Sequence, residues 1–198
     1  AEAPRQANEQ DALTRHAAIL HRQGRGRAEK GQDPTADYGE ARNLLEGVLR
    51  GNPAHTRARC ELAAIYLSQA KSDRDAEGDL RLAEIECERI LRIDDTVSIA
   101  WRMRGEVHHI RAERRGEDAL ERARVAEESY SRAIAADPKF HRAWMDRARI
   151  RALRGRVLKS QGGDPMPDFR LAESDATEAL RLHPNAGSRK WLEQLRRE

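Results

Sequence analysis

The sequence predicts an all-α protein made of four helix-turn-helix repeats, followed by one helix that closes the C-terminal end. Three observations lead to this prediction. The 198-residue chain is 36% charged and 4% aromatic and is rich in Ala, Leu, Glu and Arg, a composition that favours helix over strand. A shared pattern returns every 42 to 46 residues. Within each copy, apolar residues recur three to four positions apart, as an amphipathic helix requires.

The second helix of each repeat carries the clearest part of this pattern. An alanine is followed twelve residues later by a residue that ends the helix, and proline in that place prevents the helix from continuing. Successive alanines are 42, 43 and 46 residues apart, and the terminators keep the same intervals. The four pairs are Ala41 with Pro53, Ala83 with Asp95, Ala126 with Pro138, and Ala172 with Pro184.

The first helix of each repeat has a small residue near its centre, at Ala17, Ala63, Gly105 and Ala148. Small side chains at these positions predict that the two helices of a pair approach closely. Trp101 and Trp144 share one position in successive repeats, and we interpret them as inter-repeat packing residues; an aromatic shelf for a ligand is the alternative.

These patterns place the helices and the repeats along a single domain, 1–198. The predicted first helices are 5–22, 55–70, 98–114 and 140–158, and the predicted second helices are 37–50, 78–92, 118–135 and 168–182. The repeats are 5–53, 54–95, 96–138 and 139–184. A capping helix is predicted over 188–197, because Trp191, Leu192 and Leu195 share one face and an end repeat needs a cover.

The chain resembles the tetratricopeptide repeat (TPR) family. Trp101 with Gly105, and Leu62 with Ala63 and Tyr66, match parts of that family's first-helix pattern, and the alanine-to-proline frame matches in all four repeats except at Asp95. The resemblance implies a right-handed superhelical solenoid with a concave groove lined by first helices. The repeats here are longer than the usual length of about 34 residues.

The additional residues fall between the helices of each pair, at 23–36, 71–79, 111–118 and 155–167. The first and last segments contain Gly and Pro and fit either longer loops or extended helices. The middle two are charged and poor in Gly and Pro, which favours helix extension.

No catalytic or metal-binding motif occurs in the sequence, so we expect no enzyme activity and no cofactor. Nucleophile-elbow, phosphate-loop and His-Glu-x-x-His patterns are absent. His16 and His21 are five residues apart and His108 and His109 are adjacent, so neither pair has the spacing of two metal ligands on one helix face. No disulfide is expected between the two cysteines, since Cys87 occupies a core position and Cys60 turns toward the groove.

The TPR resemblance implies which residues line a ligand groove. Repeat 1 contributes Asp11, Thr14, Ala18 and His21; repeat 2 contributes Arg57, Cys60, Ala64 and Leu67; repeat 3 contributes Ile99, Arg102, Glu106 and His109; repeat 4 contributes Arg142, Met145, Arg149 and Ala152. Arginines with apolar residues between them suit an acidic partner segment with apolar anchors. Alternatively, these arginines are solvated surface residues paired with neighbouring glutamates.

The leading functional hypothesis is therefore a non-catalytic protein-interaction scaffold that binds a partner peptide or helix. Nucleic-acid binding, to RNA in particular, on the Arg-rich face is the alternative, because helical-repeat RNA binders exist and an isoelectric point near 9.1 permits it; the 34 interspersed acidic residues argue against it. Self-assembly by continued stacking between chains is a third hypothesis. No segment is apolar enough to cross a membrane. We favour the cytoplasm, and export stays open because the chain begins Ala-Glu-Ala-Pro without Met.

Overall fold

The computed structural model describes residues 2–72, 77–114 and 118–198, with side chains from residue 6 onward. Within these residues the chain forms nine α-helices and no strand, so the predicted all-α fold of helix-turn-helix repeats with a C-terminal helix is confirmed. The helices are α1 (Glu2–Glu29), α2 (Thr35–Gly51), α3 (Thr56–Ser72), α4 (Glu77–Ile93), α5 (Ser98–Glu113), α6 (Ala119–Ala136), α7 (His141–Ser160), α8 (Met166–Leu182) and α9 (Ala186–Leu195).

The largest difference from the predicted boundaries is at the end of α1. This helix continues to Glu29 through Gly24 and Gly26, whereas the sequence predicted an end near residue 22. Helix α7 continues to Ser160, and α3 to Ser72. In repeats 1 and 4, part of the additional segment between the paired helices is therefore helical: residues 23–29 belong to α1 and residues 155–160 belong to α7. Residues 73–76 and 115–117 of the two middle insertions lie outside the described residues.

The chain divides into two compact parts, Ala1–Asp95 and Thr96–Glu198, which we call the N-terminal and C-terminal halves. The N-terminal half contains α1–α4, and α3 packs against α4 as well as against both helices of the preceding pair. The C-terminal half repeats this arrangement, because α7 packs on α8 and on both α5 and α6. Helix α9 packs on α8, the position expected of a cap.

Small residues allow the two helices of a pair to approach closely. A Cβ atom at Gly105 would lie 2.6 Å from Cε1 of Tyr130, so only glycine fits against this ring. Ala17, Ala63 and Ala148, at the corresponding positions, are fully buried. The predicted close approach of the two paired helices is therefore observed at Gly105 and Tyr130.

A second contact of the same kind lies about two turns further along the first helix, seven residues after the first. A Cβ atom at Gly24 would lie 2.6 Å from Tyr38, and one at Gly155 would lie 2.7 Å from Phe169. In repeat 3 the corresponding residues are Ala112 and Ala123, which belong to one core cluster. Glycine thus faces an aromatic ring and alanine faces a smaller side chain. Gly24 is needed for the packing of α1 against Tyr38, so this glycine does not mark the end of the helix.

The two tryptophans pack between repeats in the C-terminal half. Trp101 and Trp144 both lie against the cluster of Ala133, Ile134 and Ala143. The indole Nε1–H of Trp144 donates to the carbonyl of Pro138 at 2.9 Å, which fixes the turn that ends α6. This arrangement agrees with the packing interpretation of the two residues.

We expect Gly105→Ala to destabilise the protein by about 1–3 kcal/mol, because the new methyl group must displace the buried Tyr130 ring. Gly39→Ala is the matched control, since a Cβ atom there meets nothing within 4 Å. The control should stabilise α2 by about 0.5–1 kcal/mol through helix propensity. Denaturant unfolding of both variants measures the difference, and equal stabilisation by the two substitutions would contradict the close-packing account.

Candidate partner-binding surfaces

Arg102 on α5 lies within an ion-pair cluster on the first-helix surface of the C-terminal half. Its guanidinium is 3.2 Å from Glu106 on the same helix and donates to Asp146 on α7 at 2.8 Å. The side chains of all three residues are only 16% exposed. Burial alone would lower the pKa of Arg102, but the two carboxylates outweigh it and raise the pKa above its usual value. The positive charge of Arg102 is therefore permanent and already compensated within the fold.

His109 and Tyr130 form a buried polar contact beside this cluster. His109 Nδ1 is 3.2 Å from the hydroxyl of Tyr130, and the two rings meet edge to face. Burial lowers the pKa of His109, although Glu113 and Asp146 oppose this, and burial raises the pKa of Tyr130. At neutral pH both groups are uncharged, so the contact is a hydrogen bond between two neutral partners.

His21 makes a similar contact in the N-terminal half. It lies four residues after Ala17, as His109 lies four after Gly105. Its Nε2 is 2.9 Å from the Ser68 hydroxyl on α3, its Nδ1 is 3.6 Å from Glu61, and its ring packs edge-on against Tyr38. His21 thus connects the first helices of repeats 1 and 2, whereas His109 connects the two helices of its own repeat.

The predicted apolar anchors are mostly inside the protein. Leu67 is 3% exposed and Met145 is 5% exposed, and Met145 packs with Ala148 and Ala179 in the core. These two side chains therefore stabilise the helix packing and are not displayed to a ligand. Ile99 is half-buried and keeps part of its surface in solvent.

Three of the predicted arginines remain exposed on the first helices. Arg57 and Arg142 are exposed and have no ion-pair partner among the described residues. Arg149 is 48% exposed, with one nitrogen 3.6 Å from Asp146. Among the predicted site residues, these are the cations that a ligand can reach.

Cys60 is half-buried on α3, one helical turn after Arg57. Neither Cys60 nor Cys87 forms a disulfide. Burial raises the pKa of the Cys60 thiol to about 11, so it is protonated at neutral pH. A neutral thiol is a poor nucleophile and a poor metal ligand. Cys60 therefore contributes surface to the site without evident reactivity.

A stripe of three arginines on another face of α7 was missed by the sequence analysis. Arg147 donates two hydrogen bonds of 2.8 Å to Asp175 on α8, and Arg151 donates to Asp175 at 2.8 Å and to Glu127 on α6 at 2.7 Å. Arg154 donates to Glu127 and to Asp168. The network ties α7 to both neighbouring second helices. The spacing of the three arginines indicates that they share one helix face. It does not identify their acidic partners, which are 14 to 28 residues away in the sequence.

The corresponding face of α3 in the N-terminal half borders an open cleft of about 560 Å³. Leu62 and Tyr66 occupy the positions of Arg147 and Arg151. Helix α2 supplies one wall and α4 the other; the lining residues are Glu46, Leu49, Arg50, Arg59, Leu62, Tyr66, Leu82, Glu86 and Arg89. The sequence analysis did not predict this cleft.

The described residues contain no group of three or more His, Cys, Asp or Glu side chains arranged to hold a metal ion. Among the helices of this part of the chain, none combines the length and apolar character that crossing a membrane requires.

Comparison with known proteins identifies the fold. No protein-family model matches the sequence, and no curated protein sequence matches it. Similar solved structures include MamA, with a TM-score of 0.52 and 16% identity, covering 85% of this chain and 74% of MamA. A thermophilic TPR protein of Thermus thermophilus, TTC0263, has a TM-score of 0.50 and 14% identity, covering 90% of this chain and 98% of that one.

The pilF protein of Pseudomonas aeruginosa is also similar, with a TM-score of 0.55 and 18% identity. The match covers 89% of this chain and 65% of pilF, so the chain spans somewhat less than two thirds of that protein. Identities this low establish the fold alone. The chain has a TPR-like helical-repeat fold, and the resemblance found in the sequence is confirmed at that level.

We expect Asp175→Ala to destabilise the C-terminal half by about 3–5 kcal/mol, because two buried arginines would lose their shared carboxylate. Glu173→Ala is the control on the same helix; its pair with Arg196 is exposed and should contribute at most about 1 kcal/mol. Thermal or denaturant unfolding compares the two variants. Equal losses would show that the network does not tie α7 to its neighbours.

A pH effect is expected from His109, whose pKa lies below the ordinary value of about 6.5 when the protein is folded. As the pH falls through that value, the unfolded chain takes up a proton before the folded chain does. The free energy of unfolding should therefore decrease below about pH 6.5 and gain no contribution from His109 above it. Titration of the His109 ring by NMR tests this directly, and a midpoint at or above 6.5 would contradict it.

Proposed function

We propose that this chain is a non-catalytic interaction scaffold that binds an acidic segment of a partner protein on its first-helix surfaces. The observation that carries the proposal is the exposure of Arg142 and Arg149 on α7, a first helix of the kind that lines the ligand groove in the TPR resemblance; in the N-terminal half, Arg57 is exposed in the same way on α3. Arginine pairs with carboxylates through two parallel hydrogen bonds, so exposed arginines on a rigid surface suit an acidic ligand.

The surface around Arg149 is held in place before any ligand binds. Arg102 fixes Asp146 and Glu106, and Tyr130 holds His109. A partner therefore does not have to order these side chains, which reduces the entropic cost of binding. Because Arg102 compensates the two nearby carboxylates, they repel an acidic ligand less than free carboxylates would.

A protein ligand is favoured over RNA by the charges on the same surfaces. Glu61, Glu106 and Asp146 are interspersed with the arginines on α3, α5 and α7. A phosphate backbone needs a continuous positive surface, and these acidic groups interrupt it. An extended acidic peptide can place its carboxylates at the arginines only.

The test uses the double charge reversal Arg142→Glu with Arg149→Glu. The probe is a capped synthetic peptide of repeated Glu-Leu-Glu-Glu-Leu, titrated calorimetrically at about 50 mM and about 200 mM salt. We expect the higher salt to weaken binding and the double reversal to weaken it at least about tenfold, since attraction becomes repulsion. Arg102→Glu is unsuitable as a test, because it would place a third carboxylate beside Glu106 and Asp146 and disturb the fold.

The matched control is Arg170→Glu with Arg189→Glu, which changes the net charge equally at exposed positions on α8 and α9. It should keep most of the affinity. Equal losses in both double variants would overturn the placement of the site. Single-stranded RNA that binds more tightly than the peptide, and is lost in the Arg142/Arg149 variant, would overturn the choice of ligand.

A further inference from the structure

The two halves carry different residues at the repeat position that borders the cleft. In the C-terminal half, Arg147 and Arg151 extend from α7 to carboxylates on the flanking second helices. In the N-terminal half the corresponding residues, Leu62 and Tyr66, are shorter or uncharged and reach no such partners. The space between α2 and α4 is left as a cleft of about 560 Å³, a volume in the range of ligand sites.

The cleft has an apolar floor and an apolar wall. Leu62 and Tyr66 are almost fully buried beneath it, at 4% and 7% exposure. Leu49 of α2 and Leu82 of α4 lie on opposite sides. Leu82 is 42% exposed, so a large apolar side chain is presented to solvent at the cleft. An apolar group of a ligand would bury this surface, which stabilises binding by about 25 cal/mol for each Å² removed from water.

Charged side chains give the cleft a net positive character. Arg59 and Arg89 both donate to the carboxylate of Glu86, which is 5% exposed, so two cations surround one anion. Arg59 also donates two hydrogen bonds to the carbonyl of Pro53 and is thereby fixed.

The other charged residues around the cleft leave its net charge positive. Arg50 and Glu46 on α2 complete the lining with one cation and one anion. Arg42 adds another cation behind the floor, because its guanidinium lies 6.0 Å from the centre of the Tyr66 ring. Its buried Nε–H has no hydrogen-bond partner. An anionic group is therefore the complementary ligand.

We propose that this cleft is a second docking site, which takes one bulky apolar side chain of an acidic peptide segment while the adjacent carboxylates pair with Arg50 and Arg89. The cleft is open to solvent along α2 and α4, so a peptide can lie across it and insert a single side chain. The site is separate from the first-helix surfaces of the proposed function and does not depend on them.

The test is a ¹H–¹⁵N NMR titration of the whole chain with the capped peptide acetyl-Asp-Glu-Trp-Glu-Asp-amide. Saturable shift changes are expected at the backbone amides of Leu49, Tyr66 and Leu82. Two matched peptides separate the contributions: one replaces Trp by Ala, and the other replaces Asp and Glu by Asn and Gln. Each should bind at least about tenfold more weakly, because one removes the apolar anchor and the other removes the charge.

Leu82→Glu is the diagnostic variant, since it adds a negative charge at the cleft and removes apolar surface. Its matched control is Leu171→Glu, at the same position of α8, where the exposure is 44% and the arginines of α7 bond to carboxylates on α6 and α8. Both side chains are exposed enough for the variants to fold, which circular dichroism verifies. We expect Leu82→Glu to weaken the peptide at least about tenfold and Leu171→Glu to leave its affinity unchanged.

The outcomes distinguish this site from the proposed function. Shift changes at the cleft that Leu82→Glu removes support the inference, whatever the Arg142/Arg149 variant shows. Shift changes confined to the first-helix surfaces around Arg57 or Arg142 overturn it while supporting the proposed function. An absence of saturable shifts, or equal weakening by Leu82→Glu and Leu171→Glu, also overturns it.

Discussion

The close approach of the two helices in each pair is the constraint on which the rest of the structure depends. Glycine faces the rings of Tyr130 and Phe169, and alanine faces smaller side chains, so the small residue matches the size of the side chain opposite it. Because the pairs keep this geometry, each following first helix can pack on both helices of the preceding pair within its half. The ion pairs and the cleft are built on that framework.

Charge compensation inside the fold decides which arginines are available to a ligand. The chain contains 37 cations and 34 anions, and many of the arginines are used internally. Arg102 and Arg147 are both largely buried and paired with carboxylates, whereas Arg142 is exposed and has no ion-pair partner among the described residues. The nearly balanced net charge therefore does not tell which cations are accessible: Arg142 is exposed, whereas the nearby Arg102 is already paired.

The two halves show how one repeat framework supports different surfaces. The position that holds Arg151 in repeat 4 holds Tyr66 in repeat 2, and each residue lies within the first helix of its repeat. Long charged side chains connect the first helix to both second helices in one case, and an aromatic ring lines an open cleft in the other. A buried ion pair and a well-packed apolar contact can contribute similarly to stability, so substitution between them changes the surface more than the fold.

The repeat frame, the helix class and the approximate helix ends were predictable, because they follow from local periodicity, small residues and proline terminators such as Pro138 and Pro184. The residues that lie on the first helices were predictable for the same reason. The burial of Leu67 and Met145, the pairing of Arg102 with Asp146 and the continuation of α1 through Gly24 were not. These outcomes depend on partners that are 14 to 44 residues away, and a local pattern carries no information about which distant side chain will meet it.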